Sequence, residues 1–240
     1  MMAEFYIMDI SKIGSNGLYY DGVENVCNRA LRYEDFVRTA SSRQLLKYVL
    51  WREFKLNLNY DSLKRERWGK PILIDYPFIS FNIAHSNNMV ACVVGKGELG
   101  IDIEYIRQIE FCQLAEHFFH INERKFIVNA KPGTDLDRFY KIWTLKESYI
   151  KCIGKGLNRE LDSFFLDVKT DSKITVYDEK NPEQCAKYEF YNMRYKQYHI
   201  SICSEREDIN KEAKILDYNV VTNFLNSRAA MVWKDGAKND

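Results

Sequence analysis

The chain has 240 residues, 46% of them hydrophobic and 14% aromatic, enough for a sizeable core or for two small lobes that share one. Its 35 Lys and Arg residues nearly balance 34 Asp and Glu residues, so the overall charge favours neither nucleic acid nor an anionic membrane as a partner. No apolar run approaches the roughly 18 residues that span a bilayer, and the first residues lack a basic segment followed by a cleavage site. We therefore expect a cytoplasmic globular protein.

The first hundred residues predict a strand, a helical region and further strands. EFYIMDI has the composition of a strand, and the apolar spacing between about Glu24 and Leu56 predicts one or two helices, with one stripe formed by Leu45, Leu46, Val49 and Leu50. RWGKPIL predicts a turn that enters a strand, and FISFNIA, MVACVVG and LGIDIEYI predict three short strands. Their close spacing favours an antiparallel meander.

The second half repeats this order of helix and sheet. Helical spacing runs from Phe111 to Cys152, and strands return at SFFLDV, KITVYD, YEFYNMRY and YHISICS. The pattern predicts an α+β fold of two similar lobes, each a small antiparallel sheet packed on a helix. We expect lobes at residues 1–100 and 101–227, followed by a flexible tail at residues 228–240.

The stretch GIDIEYIR places two carboxylates on a strand that otherwise reads as buried. Residues two apart share a face, so Asp102 and Glu104 project together while Ile101 and Ile103 line the other side. Two like charges so close are unfavourable unless a cation or a buried proton lies between them, and ligand sets made only of oxygen suit magnesium. Two solvated acids on an exposed edge strand explain the same pattern.

A predicted helix carries a second set of charges. In FYKIWTLKESYIKCIGKGL, Trp143, Glu147 and Lys151 fall four residues apart on one stripe, with Lys146 alongside. An ordinary solvated pair between Glu147 and Lys151 explains this spacing equally well. The basic, glycine-bearing exit GKGL is compatible with a phosphate site.

Two loop tips offer further donors for phosphate. Lys70 lies in the turn WGKP, and His85 lies where the strand NIAHS ends, although a histidine in such a turn is equally often structural. His117 and His120 have the spacing of a metal pair on a helix, but their phenylalanine neighbours favour simple packing.

Together these fragments resemble a known family. FNIAHS, LGIDIE and WTLKESYIKCIGKGL occur in the order and spacing of Sfp-type 4′-phosphopantetheinyl transferases, and the similarity runs from about residue 38 to residue 204. The resemblance implies a pseudo-two-fold pair of α+β lobes with coenzyme A in the cleft between them. It also implies an enzyme that moves the 4′-phosphopantetheine arm of coenzyme A onto a serine of an acyl or peptidyl carrier protein and releases adenosine 3′,5′-bisphosphate.

The resemblance also assigns roles to individual residues. It makes Asp102, Glu104 and Glu147 the ligands of a Mg²⁺ ion that also holds the pyrophosphate of coenzyme A. Glu147 becomes the candidate base for the incoming serine, and Lys151 the residue that stabilises the pyrophosphate. The coenzyme-binding set is then Arg43, Lys70, His85, Asp102 and Lys151.

Some positions are less clear or depart from the family. Arg29 and Arg32 are suggested near the 3′-phosphate of the coenzyme, and Lys146 belongs to the signature with either a contact role or a solvated one. Ala84 replaces the serine that commonly precedes the motif histidine, which implies a lost hydroxyl contact to phosphate. A backbone N–H or Ser86 could compensate for it.

Two other functions remain open from the residues alone. A different Mg²⁺-dependent phosphotransfer or phosphodiester-cleaving enzyme would use the same acids, and a non-catalytic module would bind coenzyme A or a carrier protein. The length and the two-lobe pattern favour a monomer. The pathway of the carrier protein, whether fatty acid, polyketide or nonribosomal peptide synthesis, does not follow from the sequence.

Overall fold

The computed structural model describes residues 2–13, 32–156, 159–171, 173–178, 182–205 and 208–236, and their side chains except those of residues 183, 184 and 229–236. Within these ranges the helices are α1 (Tyr33–Phe54), α2 (Phe111–Phe118), α3 (Ile121–Val128), α4 (Asp135–Cys152) and α5 (Tyr218–Gly236). The strands are β1 (Glu4–Asp9), β2 (Leu63–Arg65), β3 (Pro71–Leu73), β4 (Ser80–Ser86), β5 (Met89–Gly95), β6 (Leu99–Tyr105), β7 (Phe165–Thr170), β8 (Lys173–Tyr177), β9 (Tyr188–Tyr195), β10 (Tyr198–Glu205) and β11 (Lys214–Asp217).

The first main sheet has the strand order β11-β1-β5-β4, and helix α1 covers its outer face. The predicted stripe of α1 is buried in this core, where it meets alternate residues of the strands, among them Tyr6, Met8, Val90 and Cys92. Burying such side chains stabilises the lobe by roughly 1.5–3 kcal/mol each.

The second main sheet has the order β6-β10-β9, is antiparallel throughout, and packs on helix α4. The inner faces of the two sheets meet in one apolar core that contains Phe5, Val93, Ile101 and Ile200. The layers are therefore helix, sheet, sheet and helix. A helix packed on a small sheet occurs twice, and the predicted fold class is confirmed.

The predicted meander of three strands is wrong at its last strand. β4 and β5 pair as expected, but β6 joins the second sheet through β10. The reason is that β5 already pairs with β1 on one edge and with β4 on the other, so neither edge of β5 is available to β6. Strand β6 instead lies beside β4.

The last described elements contact the first lobe. β11 pairs in parallel with β1, and α5 packs on α1. Lys214 joins the two ends of the chain, because its Nζ donates to Tyr6 Oη at 3.2 Å and to Glu53 Oε1 at 2.8 Å. The boundaries at residues 100 and 227 stay a prediction, as does the tail from residue 228, where α5 continues to Gly236.

Helices α2 and α3 cover one side of α4 through aromatic side chains, including Phe119 and Trp143. The His117 ring contacts Phe118, and His120 caps α3 while its ring stacks on Phe165 at 4.8 Å. Both histidines thus have packing roles, as the sequence favoured.

None of the helices in the described ranges combines the length and apolar character of a transmembrane segment.

Candidate active site at the junction of the two sheets

Strand β6 and helix α4 face each other with acidic and basic side chains. Ile101 and Ile103 are buried between the sheets, so the strand alternation turns Asp102 and Glu104 towards α4. Helix α4 supplies Glu147 and Lys151 from the same stripe. The structure therefore brings together the four residues that the sequence analysis placed at the reaction centre.

A glycine allows the helix to approach the strand this closely. A Cβ atom at Gly100 would lie 2.0 Å from the backbone oxygen of Ser148 and 2.4 Å from the backbone nitrogen of Cys152. Only a residue without a side chain fits between β6 and α4 at this point. Asp102 and Lys151 come into contact as a result.

Only one of the two carboxylate oxygens of Asp102 has a hydrogen-bond partner among the residues that the structure describes. Lys151 Nζ lies 2.6 Å from Asp102 Oδ1 and 3.3 Å from the backbone oxygen of Ile101. The second carboxylate oxygen, Oδ2, is buried and has no hydrogen-bond partner among the residues that the structure describes. A buried carboxylate oxygen without a partner is costly, so this oxygen is available to a further donor or to a cation.

Burial and mutual repulsion shape the protonation of the acids. Burial raises the pKa of Asp102 against the opposing effect of Lys151. Burial and the Asp102 charge raise the pKa of Glu147 and bring the pKa of Glu104 to about 7. Burial alone would lower the pKa of Lys151, but the Asp102, Glu147 and Glu104 carboxylates outweigh it and raise that pKa. The three carboxylates thus carry more negative charge than the single Lys151 ammonium can balance.

Glu104 also contacts strand β4. Ser86 Oγ donates to Glu104 Oε2 at 3.0 Å and accepts from the backbone N–H of Tyr105 at 3.0 Å. The hydroxyl of Ser86 is therefore engaged with the acid. The sequence suggests Ser86 only as a substitute contact to phosphate, so its contact with Glu104 is a finding of the structure.

His85 lies near the charges of Arg38 and Lys151, whereas Arg43 lies on α1 and contacts Tyr60. The pKa of His85 is lowered, first because protein atoms displace water from its ring and then by the cations of Arg38 and Lys151. Arg38, which pairs with Asp35 at 2.5 Å, was not singled out from the sequence. The sequence feature that could have singled out Arg38 is its position in RTASSR, where the family resemblance begins. Arg43 lies over the ring of Tyr60 at 5.6 Å.

Lys70 is buried and bound to protein atoms. Its Nζ donates to the backbone oxygen of Cys152 at 2.9 Å and to Glu98 Oε2 at 2.5 Å. The first contact satisfies a carbonyl at the C-terminal end of α4, where cations are favourable. Two of the three ammonium donors are thus committed, and coenzyme binding by Lys70 stays a prediction.

The glycine-rich exit of α4 packs on the turn that carries Lys70. Gly154 and Gly156 adopt positive φ angles of 66° and 53°. A Cβ at Gly154 would lie 3.3 Å from Glu66 Oε2 and one at Gly156 would lie 3.2 Å from the backbone oxygen of Trp68. The two predicted phosphate-binding turns are therefore neighbours.

The remaining suggested positions have different outcomes. Arg29 lies outside the described residues, and Arg32 is exposed directly before α1. Ala84 is 6% exposed and packs in the core between the sheets, so the expected loss of a phosphate contact at this position is not supported.

Lys146 proves to be structural. Its side chain is fully buried, and Nζ donates to both carboxylate oxygens of Glu123 at 2.7 Å and to the backbone oxygen of Phe164 at 2.8 Å. Glu123 in turn accepts from the backbone of Leu166 at 2.9 Å. This ion pair links α3, α4 and β7. The ammonium of Lys146 therefore binds Glu123 rather than Asp102, Glu104 or Glu147, and it does not face solvent.

A cavity of about 400 Å³ opens in front of Glu147. Its walls include His117, Phe118 and Ile150 on one side and Arg159 and residues 160–162 on the other.

Within the described ranges, no group of three or more His, Cys, Asp and Glu side chains is arranged to hold a metal ion as the side chains stand.

The site combines strand β6, which carries two acids, with helix α4, which carries Glu147 and Lys151. Two basic turns lie at the C-terminal end of α4, and the site lies where the two lobes meet. The strand and the helix of this site belong to the segments LGIDIE and WTLKESYIKCIGKGL, which carry the family resemblance. A family model described as the 4′-phosphopantetheinyl transferase superfamily matches residues 98–203.

Two individual relatives, from Bacillus subtilis and Aneurinibacillus migulanus, agree with this match. The chain is 30% identical over 194 residues to 4′-phosphopantetheinyl transferase Sfp of Bacillus subtilis (strain 168), covering 80% of this chain and 84% of that protein. It is 35% identical over 167 residues to 4′-phosphopantetheinyl transferase gsp of Aneurinibacillus migulanus, covering 68% of each. A solved holo-(acyl-carrier-protein) synthase from Bacillus anthracis, in complex with CoA (3′,5′-ADP), matches with a TM-score of 0.39 and 16% identity over 46% of this chain and 96% of that one.

The chain belongs to the 4′-phosphopantetheinyl transferase superfamily. The predictions of the family, of the fold class and of an enzyme, a 4′-phosphopantetheinyl transferase, are confirmed.

Proposed function

We propose that this protein transfers the 4′-phosphopantetheine arm of coenzyme A to a serine of an acyl or peptidyl carrier protein in a Mg²⁺-dependent reaction, with Asp102, Glu104 and Glu147 as metal ligands. The observation that carries the metal assignment is Asp102 Oδ2, which is buried and accepts no hydrogen bond from the described part of the chain. We further propose that the protein acts in the cytoplasm as a monomer.

The chemistry of the donor set supports magnesium. All three candidate ligands are carboxylates with raised pKa values, so a hard cation would lower their mutual repulsion. Magnesium is typically bound through a few carboxylates together with substrate phosphates, and when bound it neutralises charge on the phosphoryl groups.

Lys151 and Glu147 would act directly on the reacting groups. The Lys151 ammonium, already held between Asp102 and the Ile101 carbonyl, would bind the pyrophosphate and stabilise the departing bisphosphate. Glu147 would accept the proton of the serine hydroxyl, because its side chain lines the cavity through which the acceptor can enter. The serine oxygen forms a bond to the phosphorus next to the pantetheine arm, and the bond from that phosphorus to the bisphosphate oxygen breaks.

The cavity in front of Glu147 offers the route for the acceptor serine. The nucleotide end of coenzyme A would bind on the opposite side, near Arg43, Lys70 and His85. The third donor of Lys70 and the cationic neighbourhood of His85 support this orientation.

The direct test is intact-mass analysis of several apo carrier proteins incubated with this protein, coenzyme A and Mg²⁺. We expect a mass gain of one phosphopantetheine group, which Glu147→Gln reduces by roughly 10²- to 10⁴-fold in rate, as is typical for loss of a general base. Glu212→Gln, an exposed acid near the C-terminal strand, is the matched control and should transfer at the parent rate.

Two results would contradict the proposal. Release of phosphate from nucleotides without any carrier modification would identify a different phosphotransfer enzyme. Transfer by Glu147→Gln at the parent rate would remove Glu147 from the reaction centre.

A further inference from the structure

Two side chains of β4 connect the first sheet to the second. Asn82 Oδ1 accepts from the backbone N–H of Ile101 at 2.9 Å, and Ser86 Oγ accepts from that of Tyr105 at 3.0 Å. These contacts take the place of ladder hydrogen bonds between β4 and β6. They lie four residues apart on both strands and bracket the segment that carries Asp102 and Glu104.

The two connecting residues differ in what else they contact. Asn82 is 5% exposed and acts on the β6 backbone. Ser86 has a single O–H donor, and because its oxygen already accepts from Tyr105, that donor is directed to Glu104 Oε2 at 3.0 Å. The backbone of β6 thereby orients a hydroxyl that holds the side chain of its own neighbouring acid.

We propose that Ser86 is a positioning residue that holds Glu104 in the orientation needed to bind magnesium. This inference rests on the proposed function, in which Glu104 is a metal ligand. The Ser86 contact fixes Oε2 and leaves Oε1 available to the cation.

Electrostatics explain why Glu104 needs such a contact. Asp102 projects from the same face of β6 two residues away, and Glu147 lies close enough on α4 to act on Glu104. Both negative charges push the Glu104 carboxylate away from the place where a shared cation would sit. A charge-assisted hydrogen bond from Ser86 opposes this repulsion.

The size of the effect follows from other metal sites. Removing an outer partner that orients a ligand typically lowers metal affinity or activity by roughly 10- to 100-fold. We therefore expect Ser86→Ala to weaken magnesium binding by about 10-fold or more, with turnover at saturating Mg²⁺ reduced much less.

The test compares coenzyme A binding by calorimetry with Mg²⁺ and with EDTA, together with the Mg²⁺ concentration that half-saturates carrier modification. Ser86→Ala should shrink the Mg²⁺-dependent gain in coenzyme affinity, and Ser86→Thr, which keeps the hydroxyl, should restore it. Asn82→Ala removes the other connecting contact and should lower the melting temperature while keeping the gain. Ser227→Ala, on α5, is the neutral control.

Each outcome decides the inference. An unchanged Mg²⁺-dependent gain in Ser86→Ala, failure of Ser86→Thr to restore a lost one, or an equal loss in Asn82→Ala would overturn the positioning role. A parent protein that modifies carriers but binds coenzyme A equally with Mg²⁺ and EDTA would refute the proposed metal site itself. If Ser86→Ala does not fold, Ser86→Cys gives the same comparison, because a thiol is a weak donor of similar size.

Discussion

The narrow contact at Gly100 makes a sharp prediction about how the site is assembled. In Gly100→Ala the added methyl group would lie 2.0 Å from the Ser148 oxygen and 2.4 Å from the Cys152 nitrogen. Both atoms belong to the backbone of α4, so no side-chain rotation can relieve the overlap. The helix would have to move by roughly 1.4 Å to reach ordinary contact at 3.4 Å.

The cost can be derived from this displacement. Overpacking a well-filled core costs about 1–3 kcal/mol and occasionally more, and a rigid backbone neighbour places Gly100→Ala at the upper end. A loss of about 3 kcal/mol corresponds to a decrease in melting temperature of roughly 6–12 °C for a domain of this size. Glu147 and Lys151 are part of the displaced helix. We therefore also expect the rate of carrier modification to fall by about 100-fold.

Thermal unfolding by circular dichroism and carrier modification by mass spectrometry measure the two effects. The matched control is Gly133→Asn, since a Cβ at Gly133 meets no described atom within 4 Å and asparagine tolerates its positive φ of 81°. A Gly100→Ala protein that melts within about 2 °C of the parent and transfers at the parent rate would refute the reasoning.

Three further predictions concern the charged residues. Lys146→Met should lower the free energy of unfolding by about 3–5 kcal/mol because it leaves the Glu123 carboxylate buried and unpaired, and urea unfolding should show that the double variant Lys146→Met, Glu123→Leu is less destabilised than the single one. Coenzyme A should bind more tightly with Mg²⁺ than with EDTA, and equal affinities in calorimetry would contradict the metal assignment. Burial and the Asp102 charge raise the pKa of Glu104 from 4.5 to about 7, so the folded protein in EDTA holds a proton that the unfolded chain has lost between these values. Its free energy of unfolding should therefore fall as the pH rises through this window, and Glu104→Gln should flatten that dependence.

Local periodicity carried most of what the sequence could predict. The two-residue repeat of β6 placed Asp102 and Glu104 on one face, and the helical repeat of α4 placed Glu147 and Lys151 on one stripe. Both patterns depend only on neighbouring residues, so they can be derived without knowing what packs against them. The structure then adds that the two faces meet.

Long-range partners could not be predicted in the same way. The sheet that β6 joins depends on which edges β1, β4 and β10 occupy, and these strands are far apart in the chain. Lys146 looks like any helical lysine until Glu123, which caps a different helix, comes to lie beside it. The charge of Arg38 affects the pKa of His85 because α1 packs on β4.

The pairing of β1 with β11 has a consequence for how the protein is made. A ribosome releases β1 long before β11, yet the two strands must pair, with Tyr6 opposite Lys214, to complete the first sheet. Until then one edge of β1 presents unpaired backbone groups, and such open edges invite association with other chains. The first sheet therefore stays incomplete until β11 has been synthesised, and its completion depends on long-range docking that is slow compared with local folding.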